Sequence, residues 1–307
     1  LLVLDPSTAT EDWKFVKAVT NPLLLPSSIK LPWKHQESDF IDFDRDRLRF
    51  HMISNEGPKM AVGDVNSDGL DDLFLPGAKG QASSIYIQKP SGDFQIHQKF
   101  ETDSVAEDVD GLFFDADGDG DLDLYVVSGS LEFSAFNMNY LDRLYLNNGK
   151  GYFSKTKESL PMVFQSSSFA KAFDYNGDGK MDLLIGTRTV PFAYGVPGDM
   201  TLLENQGNAV FVDKTMEFAP ELKNIGMTRE AWIGDLDGDG IAEIVIVGEW
   251  MGIKVFKKAS GKYYDASSEF GLDKTSGLWN TLHVADVNGD GLPDILAGNS
   301  GTNTRLQ

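Results

Sequence analysis

Short apolar runs alternate with acidic turns along most of this chain. The runs MAV, LFF, KAF, AWI and HVA each lead into a turn rich in Asp and Gly, and LFLPG, LYVVSG, LLIGT, IVIVGE and ILAGN each follow one. β-branched and aromatic residues are frequent in these runs, as is typical of strands. No segment has the period of a long amphipathic helix. The pattern therefore predicts five β-hairpins, each closed by an acidic loop.

Two further strand-like runs follow each of the first four hairpins. They are SIYIQ and FQIHQKF (84–88 and 94–100), RLYLNNG and YFSKTK (143–149 and 152–157), TLLENQG and VFVDKT (201–207 and 210–215), and IKVFKK and KYYDASS (253–258 and 262–268). The unit is thus strand A, acidic loop, strand B, strand C, turn, strand D. The loops recur at intervals of 51 to 61 residues, a period typical of propellers. We predict an all-β chain, a β-propeller of four-stranded antiparallel blades.

The two ends of the chain bear on the number of blades. The last repeat stops after its B strand, while residues 1–20 have the pattern of a C strand, a turn and a D strand. Pairing of that segment with 278–298 would close a ring of five blades and leave no exposed edge. The alternative is that the chain is a fragment of a propeller of up to seven blades. In either case 1–307 is expected to be one domain, on its own or as part of a longer protein.

The acidic loops share a spacing of oxygen-bearing side chains. They read DVNSDGLDD from Asp64, DADGDGDLD from Asp115, DYNGDGKMD from Asp174, DLDGDGIAE from Asp235 and DVNGDGLPD from Asp286. Oxygens on alternate residues around a Gly turn can converge on a hard cation, and Ca²⁺ is the default. Position 12, where an EF-hand has Glu, is apolar in all five loops, so the closing ligand is expected to be the acid at position 9. The alternative is five ordinary Asp- and Gly-rich surface turns.

Composition supports a calcium-dependent module outside the cytosol. The net charge is −20, and about five Ca²⁺ ions would neutralise roughly half of it. An acidic surface argues against nucleic acid and anionic membranes as partners. There is no Cys and no apolar run long enough for a membrane span, so no direct membrane insertion is expected from this segment. Calcium-loaded surface modules operate at calcium levels found outside the cytosol, which predicts an extracellular, outer-membrane or periplasmic location.

The D-x-[DN]-x-D-G-x-x-D loop between strands resembles the FG-GAP/VCBS repeat of integrin-α-type β-propellers. Longer stretches, including SNEGPKMAVGDVNSDGLDDLFLPGAKGQ and LAGNSGTNTRL, resemble bacterial VCBS-repeat proteins of the ASPIC/UnbV group, over residues 39–307. The resemblance implies metal ligation by side chains at positions 1, 3, 5 and 9 and by the backbone carbonyl at position 7. Glu243 departs from the usual Asp. The implied side-chain ligands are Asp64, Asn66, Asp68, Asp72, Asp115, Asp117, Asp119, Asp123, Asp174, Asn176, Asp178, Asp182, Asp235, Asp237, Asp239, Glu243, Asp286, Asn288, Asp290 and Asp294, with carbonyls from Leu70, Asp121, Lys180, Ile241 and Leu292.

The resemblance also implies that partners bind the face opposite the acidic loops. Two B–C loops on that face, 128–142 and 187–200, are unusually long, and long loops are often functional. They carry aromatic and Arg residues of the types favoured at recognition sites. The alternative is that the rings merely pack the loops onto the blades. The candidate ligand face comprises Phe133, Phe136, Tyr140, Arg188, Phe192, Tyr194, Arg229, Glu249, Trp250 and Asn299.

No catalytic motif is evident in the sequence. The four histidines fit no triad, neither G-x-S-x-G nor H-E-x-x-H occurs, and most paired carboxylates lie in the acidic loops. We therefore expect a non-enzymatic binding or adhesion module for a protein or glycan ligand. The second hypothesis is a scaffold domain of a larger surface protein. The third is a polysaccharide lyase, by resemblance to other calcium-bearing propellers, with Arg188, Tyr194 and Arg229 in a groove.

Overall fold

A computed structural model describes residues 28–47, 49 and 51–301, and they form a predominantly β structure. In chain order the strands are β1 (Ala61–Gly63), β2 (Asp72–Leu75), β3 (Ser84–Gln88), β4 (Phe94–Lys99), β5 (Asp108–Phe114), β6 (Asp123–Ser128), β7 (Arg143–Asn147), β8 (Phe153–Lys155), β9 (Ser166–Phe173), β10 (Asp182–Thr189), β11 (Thr201–Asn205), β12 (Phe211–Asp213), β13 (Met227–Gly234), β14 (Glu243–Met251), β15 (Lys254–Ala259), β16 (Lys262–Asp265), β17 (Gly277–Ala285) and β18 (Asp294–Asn299). Among the described residues, helix is limited to single turns, α1 (Asp42–Arg45) and α2 (Thr215–Phe218), and to 3₁₀ turns at Glu101–Asp103, Met138–Tyr140 and Pro220–Leu222.

The strands pair in sequence order to form antiparallel blades. Strands β1–β4, β5–β8 and β9–β12 make three four-stranded sheets, and β13–β16 make a fourth. Strands β17 and β18 form the beginning of a fifth, and β17 also pairs with the end of β14. The first strands of successive blades contact one another, β1 with β5, β5 with β9, β9 with β13, and β13 with β17. The predicted all-β propeller of four-stranded antiparallel blades is confirmed. The predicted closing strands at 1–20 lie outside the described residues.

All five acidic loops join strands in the same register. The residue before position 1 of the loop is paired with the acid at position 9: Gly63 with Asp72, Phe114 with Asp123, Phe173 with Asp182, Gly234 with Glu243, and Ala285 with Asp294. A one-residue slip would reverse which side chains point to each face, so this shared register keeps every B strand aligned for packing.

The B strands of the three middle blades, β6, β10 and β14, are buried on both faces because each lies between two blades. In β6, Leu124 and Val126 pack towards the first blade, and Tyr125 and Val127 pack towards the third. Strand β10 repeats the arrangement, with Leu184 on the side of the fourth blade. Alternate residues of a strand point to opposite faces, so a continuous apolar run can fill two interfaces at once. The apolar runs LYVV and LLI therefore specify central strands between neighbouring blades.

Candidate functional site

A hydrogen-bonded turn around the first Asp shapes every acidic loop. The backbone N–H at position 6 donates to the position 1 carboxylate in each loop, as from Gly120 to Asp115 at 3.0 Å and from Gly179 to Asp174 at 2.8 Å. The Gly at position 6 has φ between +84° and +91° in all five loops, a conformation that glycine adopts readily. The Asp-Gly step is therefore required by the turn itself, with or without a metal.

The acid at position 9 joins its loop to the rest of the blade. Asp123 accepts a backbone hydrogen bond from Ala116, at position 2 of the loop, at 2.9 Å, and a second from Asn147 in strand C at 2.8 Å. Asp182 is bound in the same way by Tyr175 and Asn205. Burial, aided by nearby loop carboxylates, raises the pKa of Asp123 to about 6. A cation at the loop would offset the cost of ionising this buried acid.

Carboxylate oxygens converge in two of the loops. Asp115, Asp117 and Asp123 place ligand atoms within 4.8 Å of one another, as do Asp235, Asp237 and Asp239. In the fourth loop the ammonium of Lys257 donates to both Asp237 and Asp239, so a positive charge already lies between them.

Two further details bear on whether the loops suit a hard cation. Glu243 Oε1 is buried and has no hydrogen-bond partner among the described residues, as expected of an oxygen that ligates a metal ion. The backbone N–H at position 7 donates to the acid at position 5 in every loop, as from Leu70 to Asp68 at 2.9 Å. These all-oxygen donor sets fit Ca²⁺. Calcium binding, the ligand role of each loop residue and the position 7 carbonyls stay predictions.

On the opposite face, a charged network forms around Arg188 at the end of β10. Its Nη2 donates to Glu249 Oε1 at 2.8 Å and to Glu56 Oε1 at 3.0 Å, and Arg229 also binds Glu56. His51 Nε2 lies 3.0 Å from Glu56 and 3.3 Å from Glu249. Although burial alone would lower the pKa of His51, its hydrogen bonds to Glu249 and Glu56 raise it to about 9. The network thus joins the third and fourth blades to the segment before β1.

Aromatic side chains extend this network. The Tyr194 hydroxyl donates to Glu249 Oε2 at 3.1 Å and accepts a hydrogen bond from Trp250 Nε1 at 2.9 Å. The guanidinium of Arg49 lies 4.8 Å from the centre of the Tyr194 ring, a cation–π contact. Burial and the nearby Glu249 carboxylate raise the pKa of Tyr194, so the hydroxyl stays protonated at neutral pH and little phenolate is present to act as a base. Five of the predicted ligand-face residues are therefore brought together: Arg188, Tyr194, Arg229, Glu249 and Trp250.

A cavity of about 300 Å³ lies beside the network, between the first strands of the blades. Its walls include Glu107, directly before β5, Ser166 at the start of β9, and Arg188. Glu107 is buried, and this burial, reinforced by neighbouring carboxylates, raises its pKa to about 8. Of the predicted ligand-face residues, Arg188 and Arg229 line this cavity.

The predicted aromatic residues of the ligand face divide into two groups. Phe133 is only 7% exposed and Tyr140 is fully buried, with the Tyr140 hydroxyl bound to the carbonyl of Phe133 at 3.2 Å. For these two the prediction of direct recognition was wrong, because the rings pack their loop onto the blade. Asn299 is exposed but caps its own hairpin through Leu278 and Gly301 rather than lining the cavity.

Three further rings point outwards from consecutive blades, Phe136 and Phe192 from B–C connections and Trp250 from the end of strand β14. Phe136, Phe192 and Trp250 are 79%, 48% and 51% exposed, and their φ angles are +61°, +65° and +58°. Bulky residues rarely adopt positive φ, since it brings Cβ against the backbone. Within the described chain, these are the only aromatic residues with positive φ. Strain of this kind concentrates at functional sites.

The segment before β1 was not recognised in the sequence as part of this face. Arg45 donates to the carbonyls of Leu131 and Phe133 in the long 128–142 loop, the first at 2.8 Å. Asp42 in turn accepts the backbone N–H of Ser54 at 3.1 Å. The segment supplies Glu56 and His51 to the network. The run SNEGPK is the one clue in the sequence to this role, since its charged Glu56 precedes a Gly-Pro step at the start of the first blade.

A model of the FG-GAP-like repeat matches residues 64–126, 129–185 and 235–297, which is more than half of the chain. All five acidic loops lie within these segments. The narrower resemblance to the ASPIC/UnbV group stays a prediction. No curated protein matches the chain at a significant level.

Two solved structures are loosely similar in fold. One is of an Agrocybe aegerita lectin that recognises non-reducing terminal N-acetylglucosamine, with 18% identity, a TM-score of 0.45 and 78% of this chain covered. The other is the V. cholerae biofilm matrix protein Bap1, with 16% identity, a TM-score of 0.40 and 78% coverage. This chain spans 60% and 34% of the length of those two chains. Within the described residues, no helix is both long and apolar enough to cross a membrane.

Proposed function

The chain belongs to the family of FG-GAP-like repeats, and from this premise we propose that it is a calcium-stabilised extracellular binding module. It would engage a protein or glycan through the face opposite the acidic loops. The observation that carries this proposal is the row of Phe136, Phe192 and Trp250, presented by three consecutive blades at backbone angles that cost energy. Backbone strain of this kind is more readily retained where the exposed ring contributes to function.

Calcium enters the proposal as a structural cofactor. About five Ca²⁺ ions would be held by the acids at positions 1, 3, 5 and 9 of the loops, where they would offset repulsion among carboxylates. The unpartnered Glu243 Oε1 and the converging oxygens of the second and fourth loops support this assignment. Because extracellular modules bind calcium at millimolar levels, an extracellular or surface location follows from the same proposal.

We propose no catalytic step for this face. A lyase reaction needs a basic side chain free to take a proton. Arg188 is held by Glu56 and Glu249, and the Tyr194 hydroxyl is engaged by Glu249 and Trp250, with its pKa raised. These contacts favour a rigid recognition surface over a reacting group. The scaffold hypothesis remains as the outcome to expect if the face binds nothing.

The test compares two faces that both display exposed rings. Phe136→Ala with Phe192→Ala should weaken binding of a glycan-array or pull-down partner by roughly tenfold or more, in the presence of calcium. The matched control is Tyr152→Ala, a half-exposed ring in the C–D turn of the second blade, on the side of the acidic loops. Equal binding by all three proteins would assign recognition elsewhere. Absence of any partner in both screens would leave the scaffold role.

A further inference from the structure

The cavity beside Arg188 has polar atoms with no partner in its walls. Nε and Nη1 of Arg188, Oε2 of Glu107 and Oγ of Ser166 are all buried, and none has a hydrogen-bond partner among the described residues. Glu107 directly precedes the second blade, Ser166 and Arg188 belong to the third, and all three side chains line the cavity. Buried polar groups are paired in nearly all native proteins, and each exception needs an explanation. Four such atoms around one cavity indicate that an absent molecule completes their hydrogen bonds.

The charged side chains around the cavity limit the net charge that the bound molecule can carry. Arg188 is paired with Glu56 and Glu249, Arg229 with Glu56, and Lys59 with Glu230 at 2.6 Å. Each cationic side chain of the wall therefore already contacts a carboxylate. A phosphate, sulfate or uronic acid would meet cations that are each engaged by a glutamate, and burying its charge here would be costly.

The unpartnered atoms call for a ligand that both donates and accepts. Nε and Nη1 of Arg188 can only donate, whereas a serine hydroxyl can do both. With its pKa near 8, the Glu107 carboxyl is protonated at neutral pH and can also do both. A hydroxyl group on the ligand could pair with any of these atoms.

The volume of the cavity limits the size of the ligand. A volume of about 300 Å³ lies at the lower end of the range for small-molecule sites. It accommodates one ring with its substituents rather than a chain of several. Ile53, Pro58, Ala78 and Val109 supply apolar walls against which the faces of a ring can lie.

We propose that this cavity binds a single neutral, hydroxyl-rich ring, contacted by Arg188, Glu107 and Ser166. Such a ring could be the terminal sugar of a glycan or a free monosaccharide. The inference rests on the proposed binding function and specifies the ligand that enters the centre of that face. Phe136, Phe192 and Trp250 would then contact the more distant parts of a larger partner.

Titration calorimetry with calcium-loaded protein tests the proposal. The probes are a panel of neutral hexoses, deoxyhexoses and N-acetylhexosamines, with uronic acids for comparison. At least one neutral sugar should bind, and the uronic acids should not. Ser166→Ala should weaken that binding roughly five- to tenfold by removing one hydrogen bond. Ser91→Ala, an exposed serine in the β3–β4 turn, is the matched control and should bind like the wild type.

A second variant reports on Glu107. Wild-type affinity for the sugar should fall as the pH rises through about 8, where the carboxyl surrounded by Glu37, Asp42, Glu132 and Tyr140 loses its proton. Glu107→Gln keeps a neutral group that donates and accepts, so it should bind at pH 7 and lose this pH dependence. A uronic acid binding more tightly than its neutral counterpart would overturn the inference.

The results of these binding experiments distinguish failure of the cavity site from failure of the proposed binding function. A glycan or protein partner whose binding depends on Phe136 and Phe192 but is unchanged by Ser166→Ala keeps the binding function and overturns the cavity site. No binding by any neutral sugar, free or glycan-linked, means that the cavity holds only water. A free sugar bound through Ser166, with no macromolecular partner on the array or in pull-downs, supports the cavity site and removes the adhesion role.

Discussion

Asn147 of the second blade donates a 2.8 Å hydrogen bond from its side-chain Nδ2 to the backbone carbonyl of Val65, the second residue of the first acidic loop. Asn205 makes the same bond to Ala116 one blade further on, also at 2.8 Å. In the fourth blade Lys258 takes this place and donates to Tyr175. Each acidic loop in the first three blades is thus held by the end of strand C of the next blade.

This relationship makes Asn147 a test of coupling between blades. Asn147→Ala should lower the free energy of unfolding by about 1–3 kcal/mol, because it leaves the buried Val65 carbonyl without its donor. Amide exchange should then rise in the first acidic loop as well as in the β7–β8 turn. Asn148→Ala is the control, since its Oδ1 accepts only from Lys150 and Tyr152 in its own turn. Equal exchange in the first loop of both variants would show that the bond does not couple the blades.

The contact between Gly111 and Phe74 yields a second prediction. A Cβ atom on Gly111 would lie 2.4 Å from Cδ1 of Phe74, whose ring is fully buried between the first two blades. Gly111→Ala should therefore destabilise the fold by about 1–3 kcal/mol through overpacking. Phe74→Leu in the same chain should recover part of this loss by making room. Denaturant unfolding of the two single variants and the double variant measures the coupling, and simple additivity would contradict the contact.

Two acids of one loop should respond differently to calcium. Asp123 accepts two backbone hydrogen bonds, whereas the Asp119 side chain is at the exposed end of the loop and accepts one from Asp121 at 2.9 Å. Asp119→Asn should thus lower the melting temperature with calcium present and change it little in excess chelator. Asp123→Asn should lower it under both conditions, since the amide faces backbone donors.

Chelation of the wild-type protein is the reference for that comparison. Excess chelator should lower its melting temperature, because Ca²⁺ that binds only the folded loops stabilises them by about 2.7 kcal/mol at a hundred times its Kd. Restoring calcium should reverse the shift. A melting curve indifferent to chelator, with no ion retained by elemental analysis, would leave the loops as ordinary acidic turns.

The repeat could be predicted from the sequence because its causes are local. The Asp-Gly turn, the flanking apolar runs and the shared register all depend on residues within one hairpin. The ion pair between Arg188 and Glu56 joins residues 132 positions apart, and nothing in the local pattern of either residue indicates its partner. The segment that supplies Glu56 has no repeat to compare it with.

The exposure of individual side chains within one loop could not be predicted from the sequence either. Phe133 and Phe136 lie three residues apart in the 128–142 loop, yet one is 7% exposed and the other 79%. The Phe133 ring packs edge-on against Tyr140, at 5.6 Å between ring centres, while a positive φ turns Phe136 outwards. Composition could identify the loop as aromatic, but only the backbone decides which ring a partner can reach.

The last prediction concerns the pH dependence contributed by His51. Its folded pKa of about 9 lies above the ordinary value of 6.5, because Glu249 and Glu56 outweigh the effect of burial. A raised pKa of a basic group means that its stabilising effect is complete below pH 6.5 and is lost as the pH rises through about 9. His51→Gln should therefore lower the melting temperature most between pH 5 and pH 6.5, and the gap should close towards pH 9.5. Thermal melts at saturating calcium measure it. A gap that is constant with pH would mean that His51 stabilises the face as a neutral ring, and that Arg188 and Arg229 balance the two carboxylates.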